Sequence, residues 1–360
     1  MRLKRYLLPV LICVLSCMLL MTGCGTSDSD KGQKQASENV TVTDSLGRSV
    51  ELPQTIDKVV ILNSDACEAM RILGVQDKVV GVSDTVQKDP FLGMQDKEVV
   101  GTWSEPNFEK IVEMDPQLVI SYASSGAGEE VAEKLKSTDV KVLLLDFYKP
   151  EEYDKDLKTL GKVFGKEDQA DAFLKWKGEQ IAILDKVKDI KEDEKASVFT
   201  ITTSYLAQEK WSTYGSGTAT AQGLERAGLD NVAGELEQYP EVNPEWILEQ
   251  NPEAVILIDR TDGYLGYEVK GDTAVKDYYE SIKNNKVLSK TDALKNEQIY
   301  VISSELLGAN KTYLGALYLV KWFYPDQFQD LDPEKVLKEY FEKWLDVPFQ
   351  GEWAYPPVSK

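Results

Sequence analysis

The chain has 360 residues, with 61 acidic against 41 basic side chains, a formal charge of −20 and no histidine. So acidic a chain is a poor partner for nucleic acid or an anionic lipid surface, since both need compensating cations. Without histidine, Ser-His-Asp and Cys-His catalysis, histidine zinc sites and histidine-ligated haem are excluded.

Taken in chain order, the first signal is Arg2, Lys4 and Arg5, followed by an apolar run from about Tyr6 to Met21. That run is too short and wrongly flanked to be a permanent membrane span. It ends in Leu20-Met21-Thr22-Gly23-Cys24, which resembles a bacterial lipoprotein signal. The resemblance implies a signal peptide over 1–23, and lipidation of Cys24 as the new N-terminus on the extracytoplasmic face of the cell membrane. In a cell with two membranes that is the periplasmic side. Each buried acyl methylene contributes roughly 0.8 kcal/mol, so several chains anchor a protein firmly. A secretory signal cleaved elsewhere is the plainer alternative. Residues 24–38 are rich in Gly, Ser, Asp, Lys and Gln and have no large apolar side chain, which predicts a flexible tether. Cys13, Cys17 and Cys24 are used before the folded part, so only Cys67 remains and no disulfide is expected. Beside Ala66, Ala69 and Met70 it reads as a buried, inert thiol.

From Val40 to Pro53, apolar and polar residues alternate about Asp44-Ser45-Leu46-Gly47-Arg48, a β-hairpin pattern. Short apolar runs then alternate with helical ones. Strands are predicted at Val59–Leu62, Val79–Val82, Leu118–Ser121 and Val140–Leu145, with helices at Asp65–Leu73, Phe108–Met114 and Glu129–Lys136. This is the rhythm of an α/β lobe. Across Lys166–Asp189 the apolar residues Ala170, Phe173, Ile181 and Leu184 keep helical spacing, so one helix of about 24 residues and roughly 36 Å is expected. Strands resume at Ser197–Thr202, Ala254–Ile258 and Ile299–Ile302, and helices follow at Thr312–Phe323 and Pro333–Trp344.

A repeat relates the two halves. Asn107-Phe108-Glu109-Lys110-Ile111-Val112-Glu113-Met114-Asp115-Pro116 precedes Leu118-Val119-Ile120, and Asn243-Pro244-Glu245-Trp246-Ile247-Leu248-Glu249-Gln250-Asn251-Pro252 precedes Ala254-Val255-Ile256. Each copy spells an N-cap, a two-turn helix, a proline stop and a buried strand. A fainter echo pairs Leu73-Gly74-Val75 with Ala227-Gly228-Leu229. The expected architecture is α/β: two lobes of related α/β build joined by one long α-helix, with a ligand cleft between lobes. The lobes fall at 39–150 and 196–360, with a connecting helical segment over 151–195.

No phosphate loop or dinucleotide fingerprint appears, and Gly215-Ser216-Gly217 lacks the spacing of a nucleophile elbow. Carboxylate pairs are compatible with glycosidase chemistry, but none stands out. The chain reads as a non-enzyme with no cofactor and no metal site of its own.

The hairpin Asp44 to Pro53 and the stretch Gly101 through Pro106-Asn107-Phe108-Glu109 to Asp115-Pro116-Gln117-Leu118-Val119-Ile120 resemble the periplasmic-binding-protein family that serves iron–siderophore and cobalamin ABC importers. The resemblance covers about residues 39–345. It implies a monomer that binds a metal-complex small molecule between stiffly hinged lobes and docks on an ABC permease with its ATPase. It also implies that Glu109 and Glu245 pair with permease arginines. Both lie in first helical turns, where any carboxylate is favoured by the helix dipole.

The cleft is expected at the C-terminal ends of strands. Its candidates are Asn63, Trp103, Tyr122, Ser124 and Tyr148 from the first lobe, and Tyr205, Trp211, Tyr214, Arg260 and Tyr264 from the second. Tyrosine and tryptophan combine apolar walls with polar tips. Of the six arginines only Arg48, Arg71, Arg226 and Arg260 lie beyond the signal segment, too few for a highly charged catecholate complex. A low-charge iron–siderophore is therefore the leading ligand. A corrinoid such as cobalamin is the alternative, followed by an oxyanion held at Gly126-Ala127-Gly128 or a lipid-anchored ligand sensor.

Overall fold

The computed structural model describes residues 39–260 and 263–358. The signal peptide, Cys24 and the tether lie outside the described residues. Strands β1 (Val40–Thr43) and β2 (Ser49–Leu52) form the expected antiparallel hairpin. Asp44 makes its turn: the buried carboxylate accepts from the Leu46 and Arg48 amides and holds the Arg48 guanidinium at 2.7 Å.

The first sheet contains β3 (Val59–Ile61), β4 (Val79–Val82), β5 (Glu98–Val99), β6 (Leu118–Tyr122) and β7 (Lys141–Leu145). They run parallel in the order β5-β4-β3-β6-β7. The second contains β8 (Ser197–Thr202), β9 (Asp230–Asn231), β10 (Ala254–Asp259), β11 (Ile299–Ser303) and β12 (Ala354–Tyr355). Its order is β12-β11-β10-β8-β9, with β12 alone antiparallel to its neighbour. In both, the chain winds outward on one side and then crosses to the other. The switch falls between β3 and β6 in one sheet and between β8 and β10 in the other. Alternate residues of β3 enter different cores, Val59 and Ile61 one and Val60 another, as in sheets covered on both faces.

The sequence repeat is a structural repeat. Asn107 caps the Phe108–Glu113 helix by accepting from the Lys110 amide, and Asn243 caps the Pro244–Gln250 helix through the Trp246 amide. Equivalent residues Asp115 (φ 50°) and Asn251 (φ 43°) then take left-handed backbone ahead of their prolines. The fainter echo holds as well: Gly74 and Gly228 have φ of 67° and 66° and end helices in the same way.

The connecting segment differs in detail from the expectation. The α-helix runs Glu167–Ile183 and passes into a 3₁₀ run over Leu184–Asp189, so the α-helical part spans about 26 Å. A helix over Tyr153–Phe164, which the apolar pattern did not single out, precedes it and turns at Gly165 (φ 61°). The closing helix is α-helical over Pro333–Glu339 and widens into a π turn over Tyr340–Trp344.

That turn brings the C-terminal segment back onto the connector and the first lobe. Phe173 and Trp176 pack on Trp344 with ring centroids 5.2 and 5.7 Å away. Arg71, on the Ser64–Ile72 helix, donates to the Leu345 and Asp346 carbonyls. One hydrophobic core therefore includes Ile61 and Ile120, Phe173 and Trp176, Ile256 and Ile302, and Leu317 and Tyr340.

A buried polar knot crosses the same junction. Lys311 Nζ lies 2.7 Å from the Glu68 carboxylate, which also accepts from the Tyr340 hydroxyl at 2.5 Å. Removing one member strands the other's charge, a loss of about 3–5 kcal/mol in comparable pairs. Lys311→Met is expected to lower unfolding free energy by that amount in urea titration. Glu68→Gln combined with Lys311→Met should lose less than Lys311→Met alone, because no charge is left unpaired.

Candidate functional site

Strand ends from both sheets meet at a cavity of about 300 Å³. The first lobe supplies Ser64, Asp65, Glu68 and Asp89. The second supplies Tyr214, Tyr239, Arg260, Ser304, Glu305 and Lys311. A second cavity of about 580 Å³ shares Tyr214, Tyr239 and Arg260 and adds Thr202, Ser204, Tyr205, Ser212 and Thr213.

Backbone geometry explains the placement. Asn63 ends the β3 segment and caps the Ser64–Ile72 helix, its Oδ1 accepting from the Ala66 amide while Nδ2 donates to the Leu145 carbonyl. The next residues, Ser64 and Asp65, are thereby turned into the cleft. Asn63 itself is fully buried, so the expected ligand contact is instead the cap that aims its neighbours. On the other side Thr202 closes β8, Arg260 follows β10 and Ser304 follows β11.

The electrostatics of the first cavity are lopsided. Four carboxylates, Asp65, Glu68, Asp89 and Glu305, face Lys311 and Arg260. Lys311 is committed to Glu68 at 2.7 Å and reaches Glu305 at 3.5 Å. Asp65 accepts from the Asn310 amide group at 2.7 Å, and Asp89 from the Phe91 backbone amide at 3.3 Å. Burial pushes the Asp65 carboxyl up to about 7; Lys311 opposes the rise, and Glu68 and Glu305 add to it. Burial, then Glu305 and Glu68, push Asp89 up to about 8 against Lys311. The second cavity is different: it is a wall of hydroxyls around one guanidinium. Thr202 is 4 % exposed, and its Oγ1 is buried there without a hydrogen-bond partner.

Sequence-predicted residues divide into three groups. Tyr205, Tyr214 and Arg260 line the second cavity. Burial pushes the Tyr214 phenol up to about 12, with Arg260 opposing. Trp103, Tyr122 and Tyr148 form an edge-on ladder with centroids 5.5 and 6.0 Å apart, and Ser124 Oγ lies 2.5 Å from the Tyr148 hydroxyl. The ladder stands at the end of β6, beside rather than in the cavities. Burial and then Asp65 push the Tyr122 phenol up, which puts the ladder next to the acidic wall. Trp211 and Tyr264 do not line either cavity. Both pack on the second-lobe core, Tyr264 stacked on Tyr278 with centroids 4.3 Å apart.

Among the lining residues that escaped sequence reasoning are the charged Asp65, Glu68, Asp89, Glu305 and Lys311, with Tyr239. Glu305 obeys the strand-end rule, because Ser303 closes β11. Asp89 and Tyr239 come from irregular segments with no periodicity to betray them. Among the described residues no group of three or more Cys, Asp or Glu is placed to hold a metal ion. The Gly126-Ala127-Gly128 turn does open a helix, but Gly128 is there for packing: a Cβ would collide with the Tyr122 carbonyl. Glu109 and Glu245 are exposed in their first turns, and neither is in an ion pair among the described residues. Cys67 is buried, and that burial pushes its thiol up.

A family described as Periplasmic binding protein matches residues 59–306. The molybdate-binding protein MolA of Haemophilus influenzae is 23% identical over 349 residues, covering 87% of this chain and 93% of its own. An uncharacterized ABC transporter substrate-binding lipoprotein of Bacillus subtilis, YvrC, is 27% identical over 323 residues, covering 87% and 95%. The solved TroA-like periplasmic binding protein FepB of Veillonella parvula superposes with a TM-score of 0.75 at 23% identity, over 88% of this chain and 99% of that one.

The raised carboxyls carry a pH signature. Asp65 and Asp89 hold protons more tightly folded than unfolded, where the value is near 3.8. Their contribution to stability is thus full below that value and is lost as pH rises through 7 to 8. Calorimetry of the unliganded protein should show Tm falling by several degrees between about pH 5 and pH 8.5, at roughly 2–4 °C per kcal/mol. Asp65→Asn with Asp89→Asn should flatten that slope.

Proposed function

The chain belongs to the periplasmic binding protein family, and on that premise we propose that it is the capturing lipoprotein of an ABC importer for a metal-complexed small molecule. The observation that carries this is the cleft itself. Two sheets of the same winding aim their strand ends at one another across adjoining cavities of about 300 and 580 Å³. Space on that scale suits a drug-sized ligand. A low-charge ferric siderophore is the first reading. A corrinoid is the second, favoured by the tyrosine walls formed by Tyr205, Tyr214 and Tyr239.

Cys24 is the proposed anchor, holding the protein on the extracytoplasmic face of the membrane. Glu109 and Glu245 are the proposed docking points on the permease. Each is exposed at the same place in a duplicated motif, one per lobe. Charges at an interface rim set encounter and register more than cleft chemistry.

Two measurements test this reading. Calorimetric titration with ferric trihydroxamates and cobalamins should give saturable binding by at least one class; heat from molybdate alone would replace the reading with oxyanion capture. Reversing both docking charges, Glu109→Arg with Glu245→Arg, should abolish uptake by cells while leaving the dissociation constant within about twofold. Unchanged uptake would remove these residues from the interface.

A further inference from the structure

The two walls of the cleft make opposite chemical demands. On the first-lobe side, the side chains of Asp65 and Asp89 accept hydrogen bonds from Asn310 and the Phe91 amide, and neither is in an ion pair among the described residues. Lys311, which reaches the cavity from the second lobe, is already engaged with Glu68 and Glu305. Across the cavity stand Arg260 and the tyrosines Tyr214 and Tyr239, which also line the adjoining, hydroxyl-rich cavity. Free carboxylates held in a partly desolvated cleft favour an incoming positive charge.

Resting on the proposed capture function, we infer that the ligand is amphoteric: it presents a positive charge, such as a protonated amine, to Asp65 and Asp89, and an oxygen-rich face to Tyr214, Tyr239 and Arg260. An all-anionic cargo fits badly. Molybdate or a triply charged ferric catecholate would gain Arg260 but face Asp65, Asp89 and Glu305 together. The burial that raises both carboxyls adds a second consequence. At neutral pH part of the Asp65 and Asp89 population is protonated, and a cation arriving beside them drives those protons off.

The test uses two pairs of probes that differ in charge and little else. One is ferrioxamine B, a ferric trihydroxamate with a pendant ammonium, against its N-acetylated form. The other is cationic aquocobalamin against neutral cyanocobalamin, with molybdate as the anion. Titrations of the protein at pH 7.5 are run in buffers of different ionisation enthalpy, so that protons released or taken up are counted. The cationic member of a pair is expected to bind at least roughly tenfold tighter, the ratio that about 1.4 kcal/mol represents, and to release protons. Asp65→Asn with Asp89→Asn should remove the preference and the proton release. Equal affinity within each pair, proton uptake, or tighter binding of molybdate overturns the inference and leaves ligand capture standing. No binding by any probe overturns the proposed ligand classes and the inference with them.

Discussion

Everything in the molecule turns on how Glu68 is satisfied. Its carboxylate is buried in the first lobe, its cation is Lys311 from the second, and its remaining hydrogen bond comes from Tyr340 on the returning C-terminal segment. A charge in such a place is tolerated only when each partner is in position. The pair therefore ties three stretches of chain that are far apart in sequence, and it does so on the floor of the cleft. The same lysine that closes the junction is bound to Glu68 and only partly offsets the burial of Asp65 and Asp89. Architecture and ligand chemistry come from one arrangement.

Around that knot one hydrophobic core spans both lobes, while each lobe also keeps a smaller core of its own. Ile61 and Ile120 of one sheet, Ile256 and Ile302 of the other, and the Phe173–Trp176–Trp344 aromatics between them share a single core. Two sheets with matching winding explain why paired motifs such as Asn107–Pro116 and Asn243–Pro252 sit in equivalent places. The positive φ of Asp115 and Asn251 shows that the duplication extends to individual backbone angles.

How much of this was legible in the sequence depends on what each residue answers to. Parallel strands buried on both faces write themselves as apolar runs, so Val79–Val82 and Ser197–Thr202 coincide with their expected bounds. Thr312–Phe323 coincides as well. The two-residue strands β5, β9 and β12 carry too little pattern to be read. Local spacing also cannot tell an α-turn from the 3₁₀ run at Leu184 or the π turn at Tyr340, because those are set by packing on the connector. Within the cleft, the strand-end rule located Tyr205, Tyr214 and Arg260. It misassigned Asn63, whose capping bond was the stronger claim on its side chain. Acidic wall residues were hidden for a different reason. In a chain with 61 acidic side chains, nothing local separates Asp89 from a solvated neighbour.

The shared core has a mechanical meaning. Lobes that own separate cores can drift apart at little cost, so their cargo leaves whenever thermal motion opens the jaws. Here, parting the walls means exposing apolar surface at the Phe173–Trp344 seam and pulling Lys311 off Glu68.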